Sequence, residues 1–570
     1  MKKILKIAIV LIATNSLTAQ NPLIVPPTMS GTTFNITIAE DSMEFFPGHF
    51  TKTWGMSFPI LGPTLIMQKG DVVTVNFDNQ LSKTTTMHWH GVHLPSIMDG
   101  GPHTVIPAGG TWSPTWTVMD KAATYWYHPH LHHKTYEHVM KGLAGFVIVK
   151  DDDEAVLDLP RTYGIDDIPV ALQTKVMDAN YQIDDNEANA AMDTLLLVNA
   201  TRDAYFDAPA QVVRLRLLDG SLERSYNIGL SNNANFFVIA SDGGLLNAPV
   251  ALNRLLMSPG ERYEILIDLT NMQNDTIQLI NYGTGIPSGV YGTDPANLGG
   301  MGQVQPIPFY SSNPLNGADF PLLTLNIGAP TANAVTSIPA TLVNVTQWSQ
   351  ANVDENRQLD FSVAGGMGGP TGLTGPFLIN NAPFDMNVIN YQIPINNVEI
   401  WTLNNQSMIS HPFHIHDVQF NILEINGVPP PAHMQGWKDM VLVPAFMGSA
   451  KFITKFEDFT DPVTPWMYHC HIITHEDTTM MGQFTVVDAV SSVQLIENNA
   501  FSIFPNPANS HLNIELKDVI NPKVEIKDLT GKIMFKGILN KQTSTIDVSK
   551  LSNGIYFIKI NNTTSKFIKQ

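Results

Sequence analysis

Short runs of valine, isoleucine, threonine and aromatic residues recur along most of the chain, punctuated by Gly, Pro and Asn. Val72–Phe77, Gly145–Val149, Val212–Leu217, Tyr263–Leu269 and Phe484–Val487 are examples. Alternation with period two makes one face of a strand apolar. Strands of this length between turn residues predict an all-β chain of Greek-key barrels or sandwiches. Past the N-terminus, no apolar run reaches the roughly 18 residues that a membrane-spanning helix needs.

At 570 residues the chain is too long for one ordinary core. Its histidines divide it. Residues 20–155 carry two His-x-His pairs, residues 156–335 carry strand patterning and no histidine, and residues 336–490 carry a second histidine cluster. These three ranges are expected to be three β domains. Residues 491–570 are expected to be a linker and a small C-terminal β domain. Lys2, Lys3 and Lys6, the apolar stretch from Ile7 to Ala13 and the small residues ending at Ala19 read as a signal peptide over residues 1–19. Gly299-Gly300-Met301-Gly302 and Gly365-Gly366-Met367-Gly368-Gly369 read as loops.

The formal charge of −19 argues against nucleic acid or an anionic membrane as a partner. The tail departs from this balance: residues 501–570 hold ten lysines against five acids. Cys470 is the single cysteine, so no intrachain disulfide forms and stability must come from packing and metal.

Cys470 also carries chemistry. His475 follows it by five residues and Met480 by ten, which is most of a blue-copper ligand set of imidazoles, thiolate and weak thioether. His469 and His471 flank it. On an extended backbone these two rings face away from the sulfur, so one strand can serve two metal sites. His88-Trp89-His90, His128-Pro129-His130 and His414-Ile415-His416 repeat the i, i+2 spacing, and His411 adds a ring three residues before His414. A lone His-x-His is commonly structural. Four of them, one enclosing the only cysteine, point to a metal cluster.

Taken with Trp126-Tyr127-His128-Pro129-His130-Leu131-His132 and His411-Pro412-Phe413-His414-Ile415-His416, these segments resemble the three-domain, laccase-like multicopper oxidases over residues 35 to 490. Pro107-Ala108-Gly109-Gly110 and Ser258-Pro259-Gly260-Glu261-Arg262 add to the likeness. The resemblance implies three cupredoxin-like domains and four copper ions per chain. The type 1 ion would take His411, Cys470, His475 and axial Met480. The type 2 ion would take His88 and His414, and the type 3 pair His90, His128, His130, His416, His469 and His471. The implied reaction couples four one-electron oxidations of a phenol, aromatic amine or metal ion to reduction of dioxygen to two waters. Asp99 and Glu476 stand where the resemblance implies proton-relaying carboxylates. Alternatively, Asp99 is a turn residue and Glu476 orients a ligand ring. Asp417 and His133 stand where the family commonly has glycine. Methionines are scattered near the expected type 1 site and form no dense run, so oxidation of Cu(I) fits no better than oxidation of phenols.

The tail, from Phe501-Ser502-Ile503-Phe504-Pro505 through Leu551-Ser552-Asn553-Gly554-Ile555-Tyr556 to Lys566-Phe567-Ile568-Lys569, resembles the C-terminal sorting domain of type IX secretion cargo. It implies a β-sandwich read by that export machinery and a protein secreted, or held on the outer surface, after passing the periplasm. A monomer is expected. A copper nitrite reductase and a non-catalytic copper-binding surface protein are the competing readings.

Overall fold

In a computed structural model of the chain, residues 20–298, 304–488, 501–516, 522–529, 531–539, 541–560 and 563–570 are described. The signal-peptide segment and the Gly299–Gly302 loop lie outside them. Two units separate, residues 1–488 and 489–570.

The larger unit is three pairs of β-sheets. The first pair joins a five-stranded sheet built on Thr33–Phe46 and Val72–Asn79 to a second five-stranded sheet that carries His88–His90 and Ala123–His128. Between them lies a core of Phe34, Ile36, Val75, Trp89, Tyr127 and Val147. The second pair consists of two six-stranded sheets around Ile168, Leu215, Ile228, Ile265 and Leu323. The third consists of two five-stranded sheets, and its core includes Phe361, Trp401 and Phe413 together with Cys470 and Met480. Burying period-two apolar faces against one another is what produces each double layer. The first described strand, Asn21–Pro22, does not join the first pair. It pairs in parallel with Ala204–Pro209, and Leu23 buries in the second core.

Register sets the chemistry. His88 pairs across the sheet with His128, and His414 pairs with His469. Phe413, one residue along from His414, pairs with Cys470. Alternation therefore sends Cys470 into the third core while His469 and His471 face the other way.

The smaller unit packs the three-stranded sheet of Phe501–Phe504, His511–Leu516 and Thr543–Asp547 and a four-stranded sheet around Leu512, Ile514, Val524, Ile526, Ile558 and Phe567. Among the described residues no helix is long and apolar enough to cross a membrane.

Candidate metal centre

Eight imidazoles converge where strands of the first and third sheet pairs meet. His90, His128 and His471 form one potential three-donor set, His130, His416 and His469 a second, and His88, His90 and His414 a third. The Nε2 atoms of His130 and His416 lie 3.2 and 3.3 Å from Nε2 of His469. Donors held at about 2.0 Å around one tetrahedral ion sit roughly 3.3 Å apart. Three lone pairs facing one another at that distance repel unless a cation lies between them.

The outward nitrogens explain this orientation. His88, His128, His414 and His469 donate Nδ1–H to the carbonyls of Asp99, Pro129, Asp439 and Cys470 at 2.9–3.1 Å. That fixes their tautomers and leaves Nε2 pointing inward. Nε2 of His88, His128 and His414, Nδ1 of His90 and both ring nitrogens of His471 are buried without a hydrogen-bond partner. Burial, reinforced by neighbouring imidazoles, holds His90, His128, His130, His414, His416 and His471 well below the ordinary histidine range. Neutral rings with orphaned inward nitrogens fit soft or borderline metal ions such as copper.

The expected carboxylates occupy two different settings. Asp99 ends the short helix Ser96–Asp99, where its Oδ2 accepts from Nδ1 of His416 at 2.8 Å and its Oδ1 lies 3.4 Å from Nδ1 of His88. Glu476 lies 3.1 and 3.4 Å from Nδ1 of His469 and His130, but neither of its oxygens makes a hydrogen bond. Both side chains are buried.

A third carboxylate escapes sequence reasoning. Asp439 takes a paired ion contact from the Arg262 guanidinium, and its Oδ1 accepts from Nε2 of His90 at 3.2 Å. Arg262 closes the Ser258–Arg262 turn, so the histidine-free region reaches the cluster through this pair. A side chain at Gly260 would press on the ring of His471, and one at Gly91 would run into Asp439 and Arg262.

The second site lies in the third core. Nδ1 of His411 is 3.3 Å and Nδ1 of His475 3.7 Å from Sγ of Cys470. Nε2–H of His411 donates to Ser407 Oγ at 2.9 Å, which leaves Nδ1 as the lone pair facing the sulfur. Ser407 also escaped sequence reasoning. Met480 is fully buried, and its carbonyl accepts from the Cys470 amide at 3.1 Å. Burial lowers His411 to about 3 and pushes the Cys470 thiol up, so a thiolate here requires a cation beside it.

Asp417 and His133, the two departures from glycine, both adopt left-handed backbone, at φ 69° and 62°. Glycine reaches this region without strain, whereas other residues pay roughly 1 kcal/mol or more. Each uses its side chain. Asp417 lies 2.8 Å from Nδ1 of His93, whose Nε2 is 3.2 Å from Asp458, and His133 donates Nδ1–H to the Asp477 carbonyl at 2.7 Å. His132 stacks on His133, away from the converging set.

Family models divide the chain in the same way. Residues 37–154 and 343–490 each match a multicopper oxidase model, and residues 502–570 match a secretion system C-terminal sorting domain. A multicopper oxidase of Staphylococcus aureus is 32% identical over 450 residues, which span 78% of this chain and 86% of that relative. The cell division protein FtsP of Photorhabdus laumondii is 29% identical over 477 residues, 82% of this chain and 93% of that relative. Among solved structures, the laccase-like multicopper oxidase CueO of Ochrobactrum sp., with oxidase activity towards lignin model compounds, is 31% identical. Its TM-score is 0.71 over 82% of this chain and 100% of that one. McoA of Aquifex aeolicus is 29% identical with a TM-score of 0.70, over 82% and 99% of the two chains. The three sheet pairs are thus cupredoxin-like. The tail marks the protein for type IX secretion to the cell surface or beyond. A relative above 30% identity over most of its length, together with two matching models, establishes that the chain belongs to the multicopper oxidases, laccase-like oxidoreductases that use copper.

Proposed function

We propose that the chain holds four coppers and couples four one-electron oxidations of a small reducing donor to the reduction of dioxygen to two waters. His411, Cys470, His475 and Met480 would hold the type 1 ion. His88 and His414 would hold the type 2 ion, and His90, His128, His130, His416, His469 and His471 the type 3 pair. When bound, the copper supplies one-electron acceptance and dioxygen reduction, and the protein supplies position and protons. The carrying observation is that Cys470 faces the third core while both of its neighbours face the cluster, so one strand joins the two sites through a few bonds.

Other residues prepare the sites. Ser407 fixes the His411 tautomer, Asp99 steers His416 and His88, and the Arg262–Asp439 pair braces His90 and His414. Glu476, with both oxygens unpartnered beside two ligand rings, suits delivery of protons to the cluster better than ring orientation. The three β domains would run over residues 20–155, 156–335 and 336–490.

Metal analysis, absorption spectroscopy and oxygen uptake on the copper-loaded protein test this reading. About four coppers per chain, an intense blue band and donor-driven oxygen consumption are expected. One or two coppers with no oxygen uptake would overturn it in favour of a nitrite reductase. The relatives named cell division protein FtsP favour a second reading, a non-catalytic copper-binding surface protein, which copper uptake without turnover of any donor, oxygen or nitrite would support.

A further inference from the structure

A cavity of about 400 Å³ is walled by the first and third sheet pairs and by the segment that leads from the second pair to the third. None of the proposed copper ligands lines it. Its aromatic walls are the indoles of Trp348 and Trp437, nearly perpendicular, with ring centroids 5.7 Å apart. Both are anchored. The Trp348 amide donates to Oδ1 of buried Asn421 at 3.0 Å, and the Trp437 carbonyl accepts from the Ser241 hydroxyl and the Gly243 amide, each at 2.9 Å. Nine of the thirteen lining residues are polar, a demand for hydrogen bonds that a plain hydrocarbon ligand would not meet.

Charge does not select the ligand. With His93 protonated, three cations face four carboxylates. His93 lies 2.8 Å from Asp417 and 3.2 Å from Asp458, and Lys455 donates to Glu457 at 2.6 Å. Lysine ammoniums also stand over both indoles, Lys121 4.3 Å from the Trp437 ring and Lys455 5.4 Å from that of Trp348. A cationic ligand is therefore repelled where the rings would otherwise attract it. Two buried atoms keep hydrogen-bonding capacity of opposite sense. Oδ2 of Asp120, an acceptor, and Nε1–H of Trp348, a donor, have no partner, and Asp120 is only 4% exposed. Its other oxygen accepts from the His93 amide at 3.0 Å, which holds the carboxylate in place. A metal ion would satisfy the carboxylate and not the indole N–H, and a simple anion the reverse. Among the described residues, the groups of three donors close enough to share one ion include none from this cavity. Hydroxyl groups meet both needs, since each donates and accepts. We propose that this cavity binds one hexose unit of a neutral glycan, whose hydroxyls donate to Asp120 and accept from Trp348 while its C–H face rests on an indole. The electron-rich face of the ring attracts weakly positive C–H groups. A protein exported to the cell surface or beyond would thereby be held on polysaccharide, whether or not it turns over oxygen.

Calorimetric titration of the full copper-loaded protein with the methyl glycosides of glucose, galactose, mannose and N-acetylglucosamine tests the proposal. At least one should bind with a Kd on the order of 1 mM, as a few hydrogen bonds and one stacked face allow. Trp348→Phe keeps an aromatic wall and loses the N–H, so it should weaken that binding about tenfold. Trp348→Ala removes the wall as well and should weaken it more. Asp120→Asn keeps an acceptor oxygen without the charge and should weaken it severalfold, by about the difference between a charged and a neutral hydrogen bond. Copper content, blue absorption and melting temperature of Trp348→Phe and Asp120→Asn should match the wild type, which separates loss of the ligand from loss of the fold. Three results would each overturn the proposal: no glycoside bound at concentrations far above that Kd, binding unchanged in both Trp348 variants, or tighter binding of choline, acetate or Mg²⁺ than of every glycoside.

Discussion

The two converging pockets are built on opposite electrostatic plans. Around the eight-histidine cluster, Asp99, Asp439 and Glu476 each lie within 3.4 Å of at least one ring nitrogen. At the cysteine pocket the outer nitrogen of His411 meets the hydroxyl of Ser407 instead. Several cations brought together need anions nearby, since buried charge without compensation is costly. A single ion bound by thiolate needs less compensation, and its potential is governed chiefly by its own ligands. On the proposed function, the contrast separates a region that gathers charge from one that passes a single electron.

Replacing Cys470 with serine tests the contrast most severely. It should abolish both the blue absorption and donor-driven oxygen uptake while metal analysis still finds the cluster coppers; loss of all copper would mean that the two pockets do not assemble independently. Asp439→Asn comes next. It deprives a fully buried guanidinium of its bidentate partner, with Asp242 left 3.6 Å away, so calorimetry should show roughly 3 kcal/mol of lost stability. Copper retention at the cluster should weaken by about ten- to a hundredfold. Ser407→Ala removes a hydroxyl whose partners, His411, Asn405 and the Ile409 backbone, are all neutral. Spectroscopic titration should show about tenfold weaker copper binding at the thiolate pocket with the cluster unchanged. If Ser407→Ala proved as damaging as Asp439→Asn, the distinction between the plans would collapse.

The mildest test is of pH. Burial opposes a charge on His93, yet the Asp417 carboxylate and, after it, Asp120 and Asp458 raise its pKa to about 10. In the unfolded chain a histidine titrates near 6.5. The ion contacts of His93 therefore contribute fully below about pH 6.5 and are lost as the pH rises through about 10. His93→Gln should cost about 1–2 kcal/mol at pH 6 and progressively less towards pH 10, read from denaturant unfolding at each pH.

Much of the site was legible because its ligands obey a local rule. Residues at i and i+2 share a strand face, so His88/His90, His414/His416 and His469/His471 announce their clustering without any knowledge of topology, and the lone cysteine between two of them announces a second face. The double-layered sheets followed from the same alternation. Asp439, Arg262 and Ser407 obey no such rule. Arg262 meets its partner across 177 residues of chain, and nothing near Asp439 distinguishes it from an ordinary strand-edge aspartate. Asp417 and His133 are intermediate cases. Their departure from glycine was visible in the sequence, but the left-handed backbone beneath them and the contacts that offset it required the fold.

The strand Asp461–Cys470 carries one irregularity, between Asp461 and Trp466, and is regular from there to its end. A slip of a single residue in that last stretch would turn sulfur toward the imidazole cluster and imidazoles toward the thioether. Evolution can thus lengthen or shorten this strand at its start, where a bulge takes up the difference. A one-residue insertion between Trp466 and Cys470 would leave every proposed ligand in the sequence and break the proposed link between the two sites.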